Sequence, residues 1–215
     1  LHNDGVAKWT FQYDDRGNQI ETAYYGVDGK LSLNKDGFAK CTCQYDDRGN
    51  RIEETSYGVD GKPCLHKDGY AKWTAKYDDR GNTIEMSSYG VDGKLCLHKD
   101  GFAKLTVQYD DRGNRIEVAY YGVDGKPCLH NDGVAKMTLQ YDDRGNRIEY
   151  AFYGVDGKSC INKDGYAKFT CQYDDRGNKI NVAFYGVDGK PCLNNYGFAK
   201  MTLQYDDRGN TIGEA

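Results

Sequence analysis

Tyr13-Asp14-Asp15-Arg16-Gly17-Asn18 recurs letter for letter from Tyr45, Tyr77, Tyr109, Tyr141, Tyr173 and Tyr205, always 32 residues apart. A second string, Tyr25-Gly26-Val27-Asp28-Gly29-Lys30, returns at the same spacing from Tyr57, Tyr89, Tyr121, Tyr153 and Tyr185. No insertion or deletion breaks the register. A fixed period of this length is the mark of a repeat architecture, and it settles the fold class before any single residue is weighed. The 215 residues therefore read as one array of nearly seven 32-residue units, starting near Asp4, Asp36, Asp68, Asp100, Asp132, Asp164 and Tyr196, with no linker and no second domain. The array opens and closes mid-unit, since Leu1-His2-Asn3-Asp4 matches Leu129-His130-Asn131-Asp132, as a stretch of a longer array would.

Each unit carries three turn signals. Asp28-Gly29 and Asp36-Gly37 are dipeptides that suit two-residue hairpin turns, and Asp15-Arg16-Gly17-Asn18 suits a longer one. Between them, residues 6–14 and 19–25 are rich in β-branched and aromatic side chains, and helical spacing is absent. Register follows from the faces, because a slip of one residue exchanges them. A four-residue loop over 15–18 pairs Asp14 with Gln19, Tyr13 with Ile20, Phe11 with Thr22 and Trp9 with Tyr24, which separates an apolar face from a polar one.

A lone hairpin is marginal in water, so each unit must lean on its neighbours. The expected fold is all-β, a solenoid or superhelix of stacked β-hairpins. A β-propeller is the rival architecture, but 32 residues is short for a four-stranded blade. Residues 30–34 are expected to be a connector, because Pro63, Pro127 and Pro191 fall at its second position and cannot donate a ladder hydrogen bond. Leu33 and its copies are expected to point inward as pegs between units.

Composition narrows function. Apolar residues make up 38% and charged residues 29%, with a net charge of -4. That is too apolar and aromatic for a disordered chain, and acids and bases interleave with no basic face for nucleic acid. No apolar run reaches membrane-spanning length, and no signal leader is seen ahead of the first unit. The expected partners are thus neither nucleic acid nor membrane.

Eight cysteines invite a disulfide reading. Cys64, Cys96, Cys128, Cys160 and Cys192 fall at one position in successive units, about 10 Å apart if two strands separate them, which is beyond disulfide reach. Free buried thiols are expected, with a weak preference for the cytoplasm. Cys64-Leu65-His66 and its copies place thiol and imidazole together, but zinc wants four converging ligands, so no metal and no cofactor is expected. Asn34, Asn162 and Asn194 replace the histidine, which suits a side chain bonding the following turn. The Asp14-Asp15 pairs are identical in every copy, whereas catalytic carboxylates need differing environments, so no catalytic residue is assigned.

Specificity belongs to positions that vary or stand out. In the second unit Cys41, Cys43, Glu54 and Ser56 are small or charged together. They are either a gap filled by Trp9 and Trp73 or a shallow candidate pocket. Val6, Phe38, Tyr70, Phe102, Val134, Tyr166 and Phe198 form an apolar row on an otherwise polar face and are the candidate ligand surface, semi-exposed and ready for a protein partner. Tyr13 and Tyr25 head two tyrosine stripes that serve cross-strand packing or sugar stacking.

Tyr-Asp-x-x-Gly-Asn-x-Ile, as in Tyr13 to Ile20, resembles the core of the bacterial YD-repeat (Rhs-type) family, and Asp28-Gly29-Lys30 resembles its second turn. That resemblance implies β-hairpins wound into spiralling shells that can enclose a toxin. Tyr24 to Lys30 is similar also to cell-wall-binding repeats whose aromatic hairpins hold choline or glucan. The expected function is a non-catalytic scaffold for protein-protein interaction within a larger bacterial protein. The alternatives are a carbohydrate-binding array and a fragment of an encapsulating shell. Uncapped strand edges at the two ends make end-to-end self-association an expected side effect.

Overall fold

The computed structural model describes residues 6–214, so the unit start expected at Asp4 lies outside the described residues. Among them are fourteen strands and no helix. The strands are β1 (Lys8–Tyr13), β2 (Gln19–Tyr25), β3 (Lys40–Tyr45), β4 (Arg51–Tyr57), β5 (Lys72–Tyr77), β6 (Thr83–Tyr89) and β7 (Lys104–Tyr109), followed by β8 (Arg115–Tyr121), β9 (Lys136–Tyr141), β10 (Arg147–Tyr153), β11 (Lys168–Tyr173), β12 (Lys179–Tyr185), β13 (Lys200–Tyr205) and β14 (Thr211–Glu214). Two compact units divide the chain, Leu1–Leu105 with Gly122–Lys126, and Thr106–Tyr121 with Pro127–Ala215. In the first, β1 to β6 lie side by side in chain order, each antiparallel to the next. In the second, β8 to β14 do the same. The all-β tandem hairpin expected from the period is the architecture found.

All three turns of a repeat share one construction, a three-residue loop closed by a glycine. In the first, the Asp14 N–H donates to the Asn18 carbonyl (2.9 Å) and the Gly17 N–H to the Asp14 carbonyl (3.0 Å). The second spans Gly26 to Lys30 and the third Asn34 to Phe38, with the same pair of bonds in each. Gly17 sits at φ 83°, and no non-glycine residue among those described has positive φ. The two-residue turns expected at Asp28-Gly29 and Asp36-Gly37 are therefore corrected, because those turns need both central residues, or the first, at positive φ, and here only the glycine provides it.

The register holds away from the turn and fails beside it. Trp9 faces Tyr24, Phe11 faces Thr22 and Gln12 faces Glu21, as expected, but Tyr13 faces Gln19 and Ile20 is left over as a bulge. A three-residue loop followed by one extra residue gives the same offset as a four-residue loop, and thereby the same faces. The bulge recurs in hairpin after hairpin, at the equivalents of Gln12/Tyr13.

Residues 30–34 fold back on the end of the preceding strand. Leu31 bridges Tyr25, flanked by the Gly26 N–H to the Lys30 carbonyl (2.9 Å) and the Ser32 N–H to the Tyr24 carbonyl (2.9 Å). Position 31 is thus a non-hydrogen-bonded pair whose own N–H serves no ladder, and proline fits there in Pro63, Pro127 and Pro191 without loss.

Neighbouring repeats share a shorter ladder than the two strands of one hairpin. Between β2 and β3 only Glu21↔Thr42, Thr22↔Cys41 and Ala23↔Lys40 are in register, continued by the Tyr24 N–H to the Ala39 carbonyl (2.8 Å). Ala39 donates in turn to the Tyr57 carbonyl (2.8 Å) and is wholly buried, as are Ala71, Ala103 and Ala167 or nearly so. A larger side chain in this seam would overpack it.

Candidate functional site

The recurrent letters are explained by backbone geometry first. Asp14 Oδ1 accepts the N–H of Arg16 (3.0 Å) and of Asn18 (2.8 Å), while its Oδ2 accepts the Asn18 side-chain amide (2.9 Å). The Asn18 amide, then its N–H, holds the Asp14 carboxyl below the usual carboxylate range, and the same arrangement lowers Asp46, Asp78, Asp110, Asp142, Asp174 and Asp206. Arg16 reaches into the next repeat to the Asp47 carbonyl (3.1 Å), as Arg48 does to Asp79 (2.7 Å) and Arg112 to Asp143 (2.7 Å). The tyrosine that opens the motif reaches back. The Tyr45 hydroxyl donates to the Gln19 carbonyl (2.9 Å), and Tyr77 does so to Arg51 (2.7 Å), Tyr173 to Arg147 (2.9 Å) and Tyr205 to Lys179 (3.0 Å). Each accepting carbonyl lies beside the bulge of the preceding hairpin.

On the opposite face, Lys40 pairs with Glu21 of the preceding repeat (3.2 Å) while lying over the Tyr57 ring of its own (5.2 Å). Lys72 with Glu53 and Tyr89, and Lys168 with Glu149 and Tyr185, repeat the arrangement. One tyrosine stripe thus joins repeats through its hydroxyls, and the other packs beneath the lysines that do so. At the third turn the link runs backward again, with the Lys67 N–H donating to the Asp36 carbonyl (2.8 Å) and its ammonium pairing with the Asp36 carboxylate.

The apolar row expected to be semi-exposed is so in part and is buried at Val6, Phe38 and Val134. Val6 and Val134 are at 1% and 0% exposure, Phe38 is buried, Tyr70, Phe102 and Tyr166 are half-buried, and only Phe198 is exposed. These rings pack against the turn residues of the next repeat. Phe38 meets Tyr24 and His66 at 5.7 Å each, His66 stacks on Tyr70 (5.1 Å), Tyr70 on His98 (5.8 Å) and His98 on Phe102 (5.4 Å). Burial pushes the Tyr70 hydroxyl up to about 12. The histidines do the work of the asparagines they replace. Asn34 Oδ1 accepts the Asp36 N–H (2.9 Å), and His66 Nδ1 accepts that of Asp68 (3.1 Å). With Nδ1 so engaged and the Cys64 thiol donating to the Gly37 carbonyl (3.7 Å), thiol and imidazole have separate tasks.

The leucines expected inside are outside. Leu33, Leu65, Leu97, Leu129, Ile161 and Leu193 are between 43% and 66% exposed. The connector alternates, and its inward places belong to Ser32 or cysteine and to Asn34 or histidine. A second exposed row escaped the sequence reading altogether. Val27, Val59, Val91, Val123, Val155 and Val187 sit at the first loop position of the second turn, between 53% and 82% exposed. The signal was available, since valine stands in all six copies at a loop position whose backbone asks nothing of it.

Of the candidate pocket, Cys41, Cys43 and Ser56 are buried, and Glu54 pairs with Arg51 (2.8 Å) while facing Trp73 across the repeat joint. Glu54 itself is half-buried. Notches open between successive Asp-Asp-Arg-Gly-Asn turns, one of ≈ 460 Å³ being lined by Asp110, Asp111, Arg112, Asp142 and Asp143, and another of ≈ 360 Å³ lies against Tyr166, Phe184 and Phe198. Among the described residues, no three of His, Cys, Asp and Glu converge as metal ligands.

No protein-family model matches the chain, and no curated protein matches it. Several solved structures are similar. The crystal structure of TcdB2-TccC3-TEV has a TM-score of 0.49 at 14% identity, covering 94% of this chain and 10% of that one. The crystal structure of TcdB2-TccC3-Cdc42 gives 0.44 at 16%, covering 93% and 10%. The Photorhabdus luminescens Tc holotoxin pore gives 0.37 at 11%, covering 96% and 12%. The chain spans about a tenth of the length of the toxin chains it matches. The function proposed for it rests on its own geometry.

Proposed function

We propose that this chain is a non-catalytic repeat scaffold that binds a protein partner through its exposed Val27 and Leu33 rows, as one stretch of a larger bacterial protein of the YD-repeat kind. The observation that carries the reading is the Val27 row. Isolated exposed apolar side chains are ordinary, but six identical ones at one loop position are not. Gly26, Asp28 and Gly29 already meet the demands of the turn, since Asp28 Oδ1 accepts the Lys30 N–H (3.0 Å) and Gly29 takes φ 75°. Valine contributes nothing to that geometry, which leaves contact with another molecule as its use. The Tyr-Asp-x-x-Gly-Asn signature supports the YD kinship, each of its fixed letters having a bond or a dihedral to satisfy. A sugar-binding use of the tyrosines fits less well, because hydroxyls of the Tyr13 type are spent on carbonyls and rings of the Tyr25 type lie beneath lysines. The eight free thiols suit a reducing compartment, and the proposal extends to a cytoplasmic location.

The test is a photo-crosslinking residue placed at Val59 or Val155 in cells that make the parent protein. A single protein adduct at those sites, absent when the probe is at Gln44 or Gln140 on the strands, is the expected result. Equal labelling at all four sites, or capture of saccharide alone, would overturn the reading.

A further inference from the structure

A row of ion pairs ties hairpin to hairpin on the polar face, and it is broken between β12 and β13. Lys40, Lys72, Lys104, Lys136 and Lys168 each meet the glutamate of the preceding hairpin at 3.2 to 3.6 Å, namely Glu21, Glu53, Glu85, Glu117 and Glu149. The next lysine of the row, Lys200, has Asn181 at the glutamate position and pairs with no carboxylate among the described residues. The asparagine is occupied elsewhere. Its Nδ2 donates to Gln172 Oε1 (2.9 Å), and its Oδ1 accepts from the Thr202 hydroxyl (3.2 Å). In other hairpins the glutamine amide is the donor, Gln12 Nε2 giving to Glu21 (3.1 Å) and Gln140 Nε2 to Glu149 (3.4 Å), so at Gln172 that nitrogen is released. A cavity of ≈ 450 Å³ opens at this joint, lined by Thr170, Gln172, Ala183, Tyr185, Pro191 and Lys200. Ala23, Ala119 and Ala151, the equivalents of Ala183, are buried, whereas Ala183 is half-buried.

We propose that this joint is a binding site for a carboxylate carried on an apolar, ring-sized body. The intact joints show what the place takes, a carboxylate within hydrogen-bonding reach of the row's lysine. The lining presents donors and no acid: the Lys200 ammonium, the Gln172 amide nitrogen and the Thr170 hydroxyl. Ammonium-to-carboxylate hydrogen bonds are among the stronger ones. One unpaired positive charge matches one negative charge, so a singly charged carboxylate fits and a doubly charged phosphate overfills. An exposed ion pair contributes little alone, so the rest of the affinity comes from Ala183, Tyr185 and Pro191, apolar walls with room for a ring. The same chemistry reaches the site from two sources, a free organic acid or an acidic side chain of another protein. Binding here needs nothing of the Val27 row.

The test is an NMR titration of the full isotope-labelled chain with benzoate, with benzyl alcohol as the uncharged match and N-acetylglutamic acid methylamide as the side-chain probe. Benzoate is expected to shift the Gln172 side-chain amide and the backbone amides of Ala183 and Lys200 saturably. Benzyl alcohol binds at least tenfold more weakly. Asn181→Glu restores the residue of the intact joints and weakens benzoate at least tenfold, as does Lys200→Met. Glutamate already stands at the equivalent position in Glu117 and Glu149, so Asn181→Glu is compatible with the fold, and unchanged circular dichroism verifies it. Tighter binding of benzoate assigns the site to a free ring-bearing acid, and tighter binding of the glutamate probe to an acidic side chain of a partner. The proposal is overturned by no saturable shift with either carboxylate, by equal binding of benzoate and benzyl alcohol, or by benzoate binding that survives Asn181→Glu at full strength.

Discussion

At the scale of single residues, the Tyr-Asp-Asp-Arg-Gly-Asn hexapeptide is a set of bonds written in sequence. Its aspartate, glycine and asparagine were legible because their partners are local, an Asx-type turn being a matter of four or five residues. Its tyrosine was not, because the carbonyl that Tyr45 bonds belongs to Gln19, 26 residues earlier in the preceding repeat. Lowered carboxyls in seven identical turns tie stability to pH. The folded-state pKa of each lies below its unfolded value, so the contribution is complete above the unfolded pKa of about 3.9 and is lost as pH falls through the folded values. The melting temperature is expected to be flat from pH 8 to pH 5 and to drop steeply below about pH 4. Asp46→Asn combined with Asp78→Asn lowers the plateau and shallows the acid limb. A melting temperature that holds to pH 2 would contradict the role given to these turns.

At the scale of elements, the pattern of faces predicted the pairing of Trp9 with Tyr24 and Phe11 with Thr22, yet mistook how the turn achieves it. Alternation reports only which residues share a side. A longer loop, or a shorter loop with one residue extruded at Ile20, satisfies it equally. The connector failed for a related reason. Leu33 was placed inside because it is apolar, whereas the alternation of residues 31–34 gives the inward places to small or hydrogen-bonding side chains that meet a neighbouring turn. The bulge makes its own forecast. Tyr77→Phe deletes the donor to the Arg51 carbonyl at 2.7 Å and is expected to cost about 1 kcal/mol. Tyr89→Phe, whose ring meets Lys72, costs less. Chemical denaturation of the two variants decides the matter, and equal midpoints would show that the hydroxyl holds nothing.

At the scale of the whole molecule, the period was readable at once, and the jobs of its letters show why it tolerates no insertion. Several joints are made by atoms about one period apart, Arg48 to Asp79 and Lys67 to Asp36 being 31 residues distant. Excision of residues 42–73 removes one full period and rejoins Cys41 to Thr74. The product is expected to fold cooperatively, with the same circular dichroism per residue and a lower melting temperature, as nearest-neighbour stabilisation requires. Excision of residues 42–74 removes one residue more, inverts the remainder of the strand and is expected to abolish the cooperative transition. Two similar melting curves would refute the account of the joints. The variable inward pairs then take on a purpose of their own. A hairpin whose turns fit any sibling equally well has no way to tell an adjacent copy from a distant one. Joints of differing make, small Thr22 beside small Cys41, Glu54 beside Trp73, aromatic Tyr150 beside aromatic Phe169, supply the missing address, so the unevenness of the core is what lets a monotonous chain assemble in order.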